Sequence, residues 1–131
     1  MTGPFWCLFA ATLWLVLSKV PMNILGARLE PYDNHYPRLQ QQRLRGAAHR
    51  AWAAHHNMQE AYPAFAAAVL VSHLGRGDPL LATLLGGLFL AARLSYQLCY
   101  LLDWPQARSI SWGIGLLATL VLMLTPLRPV G

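Results

Sequence analysis

The chain has 131 residues and a formal net charge of +5, with 56% hydrophobic and only 11% charged residues. Soluble domains carry about a quarter charged residues, so this composition cannot coat a globule and excludes an ordinary soluble domain. It reads as one all-α, integral membrane domain. Lys19 is the only lysine, so the basic excess is almost wholly arginine. In a membrane chain such an excess points to cytoplasmic loops and anionic headgroups. No nucleic-acid-binding pattern accompanies it.

Four segments approach the roughly 20 apolar residues that a bilayer requires. The first is residues 5–24. No basic n-region and no cleavage site of the A-x-A kind accompany it, so it is expected to be a retained membrane helix, with Lys19 snorkelling from its end. The only long connection follows, residues 26–43. It contains Pro31-Tyr32-Asp33-Asn34-His35-Tyr36-Pro37-Arg38, in which Asp and Asn can bond their own backbone and Pro fixes φ.

The second segment is residues 44–74, polar-striped at first and continuously apolar from Ala61, with Pro63 expected to kink it. A polar turn, Gly75-Arg76-Gly77-Asp78-Pro79, leads to the third, residues 79–102. Gly86 and Gly87 within it suit close helix packing. A short connection, residues 103–108, precedes the fourth, residues 109–127, where Trp112 is a candidate interfacial anchor. Loop arginines are concentrated in the first and third connections, at Arg28, Arg38, Arg43, Arg45 and Arg108, against Arg76 and Arg128 on the other side. The positive-inside rule therefore puts the first and third connections in the cytoplasm and both termini outside.

Polar residues at membrane depth carry the functional signal. Counted from the turn at the helical rise, Glu60 lies roughly 21 Å deep on one helix and Arg93 roughly 20 Å deep on the next. Asn57 and Tyr96 share a level at about 25 Å, and Arg50 and Tyr100 lie deeper. Arg50, Asn57 and Glu60 fall within about an 80° sector, and Arg93, Tyr96 and Tyr100 within about 60°. Two narrow stripes at matched depth are expected to face each other across one polar space. Ionisable groups at such depth are functional candidates by default. A purely structural reading pairs Glu60 with Arg93 and Asn57 with Tyr96, pinning the bundle in register.

The stripes suit a zwitterionic, polycarboxylate ligand. Arginines offer bidentate donors, Glu60 a partner for an α-amino group, and Asn57 both donor and acceptor. A cation near a ligand thiol favours its thiolate. Cys7 and Cys99 fall near opposite faces, too far apart for a disulfide, so two free thiols are expected. His35, His49, His55 and His56 lack a completing Cys or carboxylate and read as packing or interfacial residues rather than metal ligands.

The run holding Arg50, Asn57, Glu60 and Pro63 and the run holding Arg93, Tyr96 and Tyr100 resemble the MAPEG family, the membrane-associated proteins in eicosanoid and glutathione metabolism. The first is similar to a helix-two N-x-x-E followed by proline, the second to the R-x-x-Y-x-x-x-Y of the leukotriene synthase branch. Residues 32–38 look more like bacterial members. The resemblance implies a left-handed four-helix bundle assembled as a homotrimer, binding glutathione between neighbouring subunits. It implies that Asn57 and Glu60 hold the glutathione backbone, that Tyr96 and Tyr100 line the same site, and that Arg108 activates the thiol from the start of helix four. Arg28 or Arg38 would supply a first-loop arginine. Ala53 stands where the family's helix-two arginine falls, with Arg50 one turn earlier. The eight-residue step from Tyr100 to Arg108 differs from that of the eukaryotic synthases.

The expected function is a bacterial inner-membrane glutathione transferase or peroxidase acting on a lipophilic electrophile. The alternatives are a non-enzymatic lipid-binding or scaffold member of the family and a small exporter. Exporters of that kind carry a carboxylate in their first helix, and residues 5–20 contain none.

Overall fold

A computed structural model describes all 131 residues. It is all-helical: α1 (Gly3–Leu17), α2 (Val20–Ala27), α3 (Pro37–Gln42), α4 (Ala47–Leu74), α5 (Pro79–Leu101) and α6 (Pro105–Leu124), followed by a 3₁₀ turn, Thr125–Leu127. Three stretches are long and apolar enough to cross a membrane: Gly3–Ala27, Pro79–Leu101 and Pro105–Leu127. α4 has 28 residues, or about 42 Å of helix, and carries the polar stripe in its first half.

The first apolar segment is not one continuous helix. It breaks at Ser18-Lys19 because Pro21 has no N–H for the Leu17 carbonyl. Ser18 is fully buried there. Its hydroxyl donates to Leu15 O (3.0 Å) and lies 2.8 Å from His55 Nδ1, while Gln97 Nε2 donates to Ser18 O (3.5 Å). The break is thus tied to α4 and α5.

The first connection is ordered by its own polar groups. Asp33 Oδ1 accepts from the backbone N–H of His35 (2.9 Å) and Tyr36 (3.1 Å). The buried Gln40 accepts from Asp33 N (2.8 Å) and donates to Pro31 O (2.6 Å). The short α3 was not expected, and α4 begins at residue 47 rather than 44. Gly46 (φ 59°, ψ −135°) occupies backbone space that only glycine enters readily and sets the angle between α3 and α4.

α4 continues through Pro63 without interruption. It ends in the tight turn before α5, where Arg76 takes a left-handed φ of 58° and Asp78 caps α5 by accepting from Leu80 N (2.9 Å). Thr125 donates to Ser72 (2.6 Å), and Val130 N donates to Arg76 O (3.0 Å), closing this end of the molecule. A side chain at Gly77 would collide with Thr125.

α6 packs along α5, and α4 touches α1, α2, α5 and α6. The core is built from Met58, Phe65, Val69, Phe89 and Leu122 with several alanines. Phe65 and Phe89 stack in parallel with centroids 3.9 Å apart. Gly86 lets α1 approach α5, since a Cβ there would lie 2.8 Å from Cys7 Cβ, whereas Gly87 faces open space. Both cysteines are free thiols.

Candidate functional site

The two polar stripes meet on one cavity. Asn57 and Glu60 of α4 and Arg93 of α5 line a recess of about 220 Å³ together with Ala61, Ala64 and Phe89, closed on its third side by α6 residues, among them Trp112 and Gly115. The antiparallel α4–α5 hairpin brings them there: Glu60 and Arg93 are nearly equidistant from the turn, and α6 runs back alongside α5.

Arg93 is buried, with 2% of its surface exposed. Its guanidinium lies 4.4 Å from the centroid of the Tyr96 ring. The Glu60–Arg93 ion pair of the purely structural reading is not made; the chain's sole ion pair within 4.0 Å is Arg43–Glu30 at 3.3 Å, in the first connection. The Asn57–Tyr96 hydrogen bond of that reading is not made either. Asn57 Nδ2 instead donates to Glu60 Oε2 at 3.4 Å, one helical turn along the same stripe. Arg93 Nε and Asn57 Oδ1 remain buried without a hydrogen-bond partner.

The remaining stripe residues form a ladder beside the recess. Tyr96 and Tyr100 meet edge to face with centroids 5.6 Å apart, and Arg108 lies 4.6 Å over the Tyr100 ring. α6 starts at Pro105 rather than Ser109 because proline is preorganised for a first helical position. Arg108 therefore sits in the first turn of α6, not in a loop, and it does not line the recess. Arg50 does not reach towards Asn57. Its Nη2 donates to Leu101 O (3.4 Å) at the C-terminus of α5, where a cation complements the helix dipole, and its Nε is buried and unpartnered. Arg28 and Arg38 are exposed and lie outside the recess.

The histidines pack: His49 and His56 flank Trp52 at 5.3 Å and 4.4 Å, and His55 meets Ser18. The α6 wall was missed by reading the polar residues alone. Its signal was present as small and polar residues at helical spacing, Ser111, Gly115, Ala118 and Thr119, all buried. Ser95 and Ser111 bond at 2.9 Å and hold α6 against α5 next to this wall.

An all-helical chain with three membrane-capable helices and a buried arginine beside a recess belongs to the class of small integral membrane proteins. Residues 3–128 match the model of the MAPEG family, and the chain belongs to that family. The family includes glutathione transferases and peroxidases as well as other members. Comparison with curated proteins and with solved structures gave no match.

Proposed function

We propose that the protein is a membrane-embedded, glutathione-dependent transferase or peroxidase acting on a lipophilic electrophile. The observation that carries this reading is the set of buried polar atoms without partners, Arg50 Nε, Asn57 Oδ1 and Arg93 Nε. Such atoms are costly to bury unsatisfied, so a ligand rich in carboxylates and amides completes them. In this reading the glutathione carboxylates meet Arg93 and Arg50, its amino group meets Glu60, and its peptide groups meet Asn57, with Tyr96 and Tyr100 alongside. Arg108, held over Tyr100, favours the thiolate. Arg38 or Arg28 reaches the ligand from the first connection.

The working unit is a homotrimer of four-helix transmembrane bundles in the bacterial inner membrane, with the first and third connections in the cytoplasm. Glu60 is exposed on the single chain although it lies at membrane depth. A carboxylate does not face acyl chains, and a neighbouring subunit would cover it.

The test is glutathione binding to the purified protein in detergent, with Glu60→Ala and Arg108→Ala variants. Saturable binding at millimolar glutathione, weakened by Glu60→Ala, supports the assignment; an intact trimer without saturable binding removes it. One observation favours a second reading, a non-enzymatic lipid-binding member: Arg108 stands outside the recess. Absence of turnover with any thiol acceptor supports that reading.

A further inference from the structure

A second cavity, of about 270 Å³, lies between α2 and α3 at the pole opposite the α4–α5 turn. It shares no residue with the recess. Its polar lining is Lys19, Asn23, Glu30, Tyr32 and Gln41, and Met22 and Leu44 are among its apolar walls. Asn23 N donates to Lys19 O (3.1 Å), so the two residues stand one turn apart on one face of α2. Gly26 continues that face and keeps Leu44 close, since a Cβ there would lie 3.3 Å from Leu44 Cδ2. The amide of Gln40 is spent on the first connection, accepting from Asp33 N (2.8 Å) and donating to Pro31 O (2.6 Å), and serves as a fixed wall. The charges around the cavity do not cancel. Glu30 is already paired with Arg43 at 3.3 Å, the sole ion pair of the chain, which leaves Lys19 without a carboxylate. The cavity thus offers one uncompensated positive charge beside neutral amides and a phenol.

We infer that this cavity binds the headgroup of a singly anionic, hydroxyl-bearing phospholipid, with its phosphate at Lys19 and its hydroxyls at Asn23, Gln41 and Tyr32. Lys19 lies eight residues before the end of the membrane-capable stretch Gly3–Ala27, about 12 Å along the axis. From there its amine snorkels to the phosphate level. Val16 and Val20 flank it in the chain and are exposed, so apolar surface for the acyl chains adjoins the charge. The headgroup follows from the charge balance. A zwitterionic lipid brings an ammonium group whose natural partner, Glu30, is already taken by Arg43. A phosphodiester with hydroxyls only cancels Lys19 and leaves no charge over, and its hydroxyls both donate to and accept from the amides. A water-borne phosphodiester carries the same chemistry, but the position of Lys19 inside the apolar stretch selects the lipid. The bound headgroup bridges α2 and α3 and so fastens the first connection to the membrane. None of this depends on glutathione.

The test is lipid retention by the full chain, released from nanodiscs of mixed phosphatidylglycerol, phosphatidylethanolamine and phosphatidylcholine with identical acyl chains, and read by native mass spectrometry. Phosphatidylglycerol is expected to be retained about fivefold over either zwitterionic lipid, the selectivity that one lysine confers on an anionic headgroup. Lys19→Gln should abolish the preference and Lys19→Arg should keep it. Asn23→Leu, which leaves the charge but fills the cavity, should weaken it. Arg45→Gln removes an exposed charge at the same pole outside the cavity and should change nothing. In thermal unfolding, phosphatidylglycerol should raise the midpoint above its value in phosphatidylcholine, and Lys19→Gln should erase that difference. Equal retention of the three lipids overturns the inference. So does a preference that survives Lys19→Gln or falls as much in Arg45→Gln, since the attraction is then diffuse. Retention of phosphatidylethanolamine as firm as that of phosphatidylglycerol overturns the charge assignment. Glycerophosphoglycerol, the same headgroup without acyl chains, is the last arm: failure to displace the lipid at millimolar concentration supports the lipid as occupant, and full displacement overturns it in favour of a water-borne phosphodiester.

Discussion

Glu60 and Arg93 border the same recess without forming an ion pair. Two opposite charges at one membrane depth, left apart by the fold, are available to a third party. A chain needing them only for register would have closed the gap. Their separation therefore makes opposite predictions for stability and for binding.

Glu60→Gln removes a charge that forms no ion pair in the chain. The thermal midpoint in detergent is expected to move by no more than about 2 °C, while glutathione affinity falls about tenfold or more as an ammonium partner is lost. A midpoint lowered by many degrees would show that Glu60 serves packing.

Arg93→Met tests the cost of the buried guanidinium. A buried charge with no ion-pair partner carries an uncompensated desolvation cost that an apolar side chain does not. The midpoint is expected to stay or rise, and glutathione binding to drop below detection. Calorimetry and equilibrium dialysis on the same preparation check both halves.

Tyr100 is expected to act on Arg108 through its ring. A cation over an aromatic face contributes about 0.5–2 kcal/mol, so Tyr100→Phe keeps Arg108 in place and Tyr100→Ala frees it. Tyr100→Ala should reproduce much of the loss in turnover seen for Arg108→Ala, and the double variant should be no worse than Arg108→Ala alone. Additive losses would separate the two residues.

Gly86→Ala is expected to destabilise although alanine favours helix. The added Cβ meets Cys7 Cβ at 2.8 Å, and overpacking of this kind costs about 1–3 kcal/mol. Pairing it with Cys7→Gly should recover part of the loss in thermal unfolding. Gly87→Ala, facing open space, should be neutral or stabilising.

Much of this was legible in the sequence. Matching distances of Glu60 and Arg93 from one short turn placed them on a common space, because helical rise is constant and the turn admits only an antiparallel return. Asp33 was legible as a turn residue for its short acceptor side chain. Pairings were not legible. Whether Glu60 meets Arg93 or Asn57 depends on a few ångströms of separation between helices, fixed by Phe65, Phe89 and Gly115 rather than by the stripe itself. The direction of Arg50 was not legible, because a long side chain reaches either way along its helix and the carbonyl it meets, at Leu101, belongs to α5. The break at Ser18 was hidden because hydropathy is blind to a proline N–H that is missing.

The bonds Thr125–Ser72 and Val130–Arg76 lock one pole of the molecule. No comparable clasp joins α4 to α6 at the opposite pole, where Arg50 and Arg108 stand. Opening of α4 from α6 is therefore expected to be smallest at the locked pole, like the jaws of a peg, and largest where the two arginines stand.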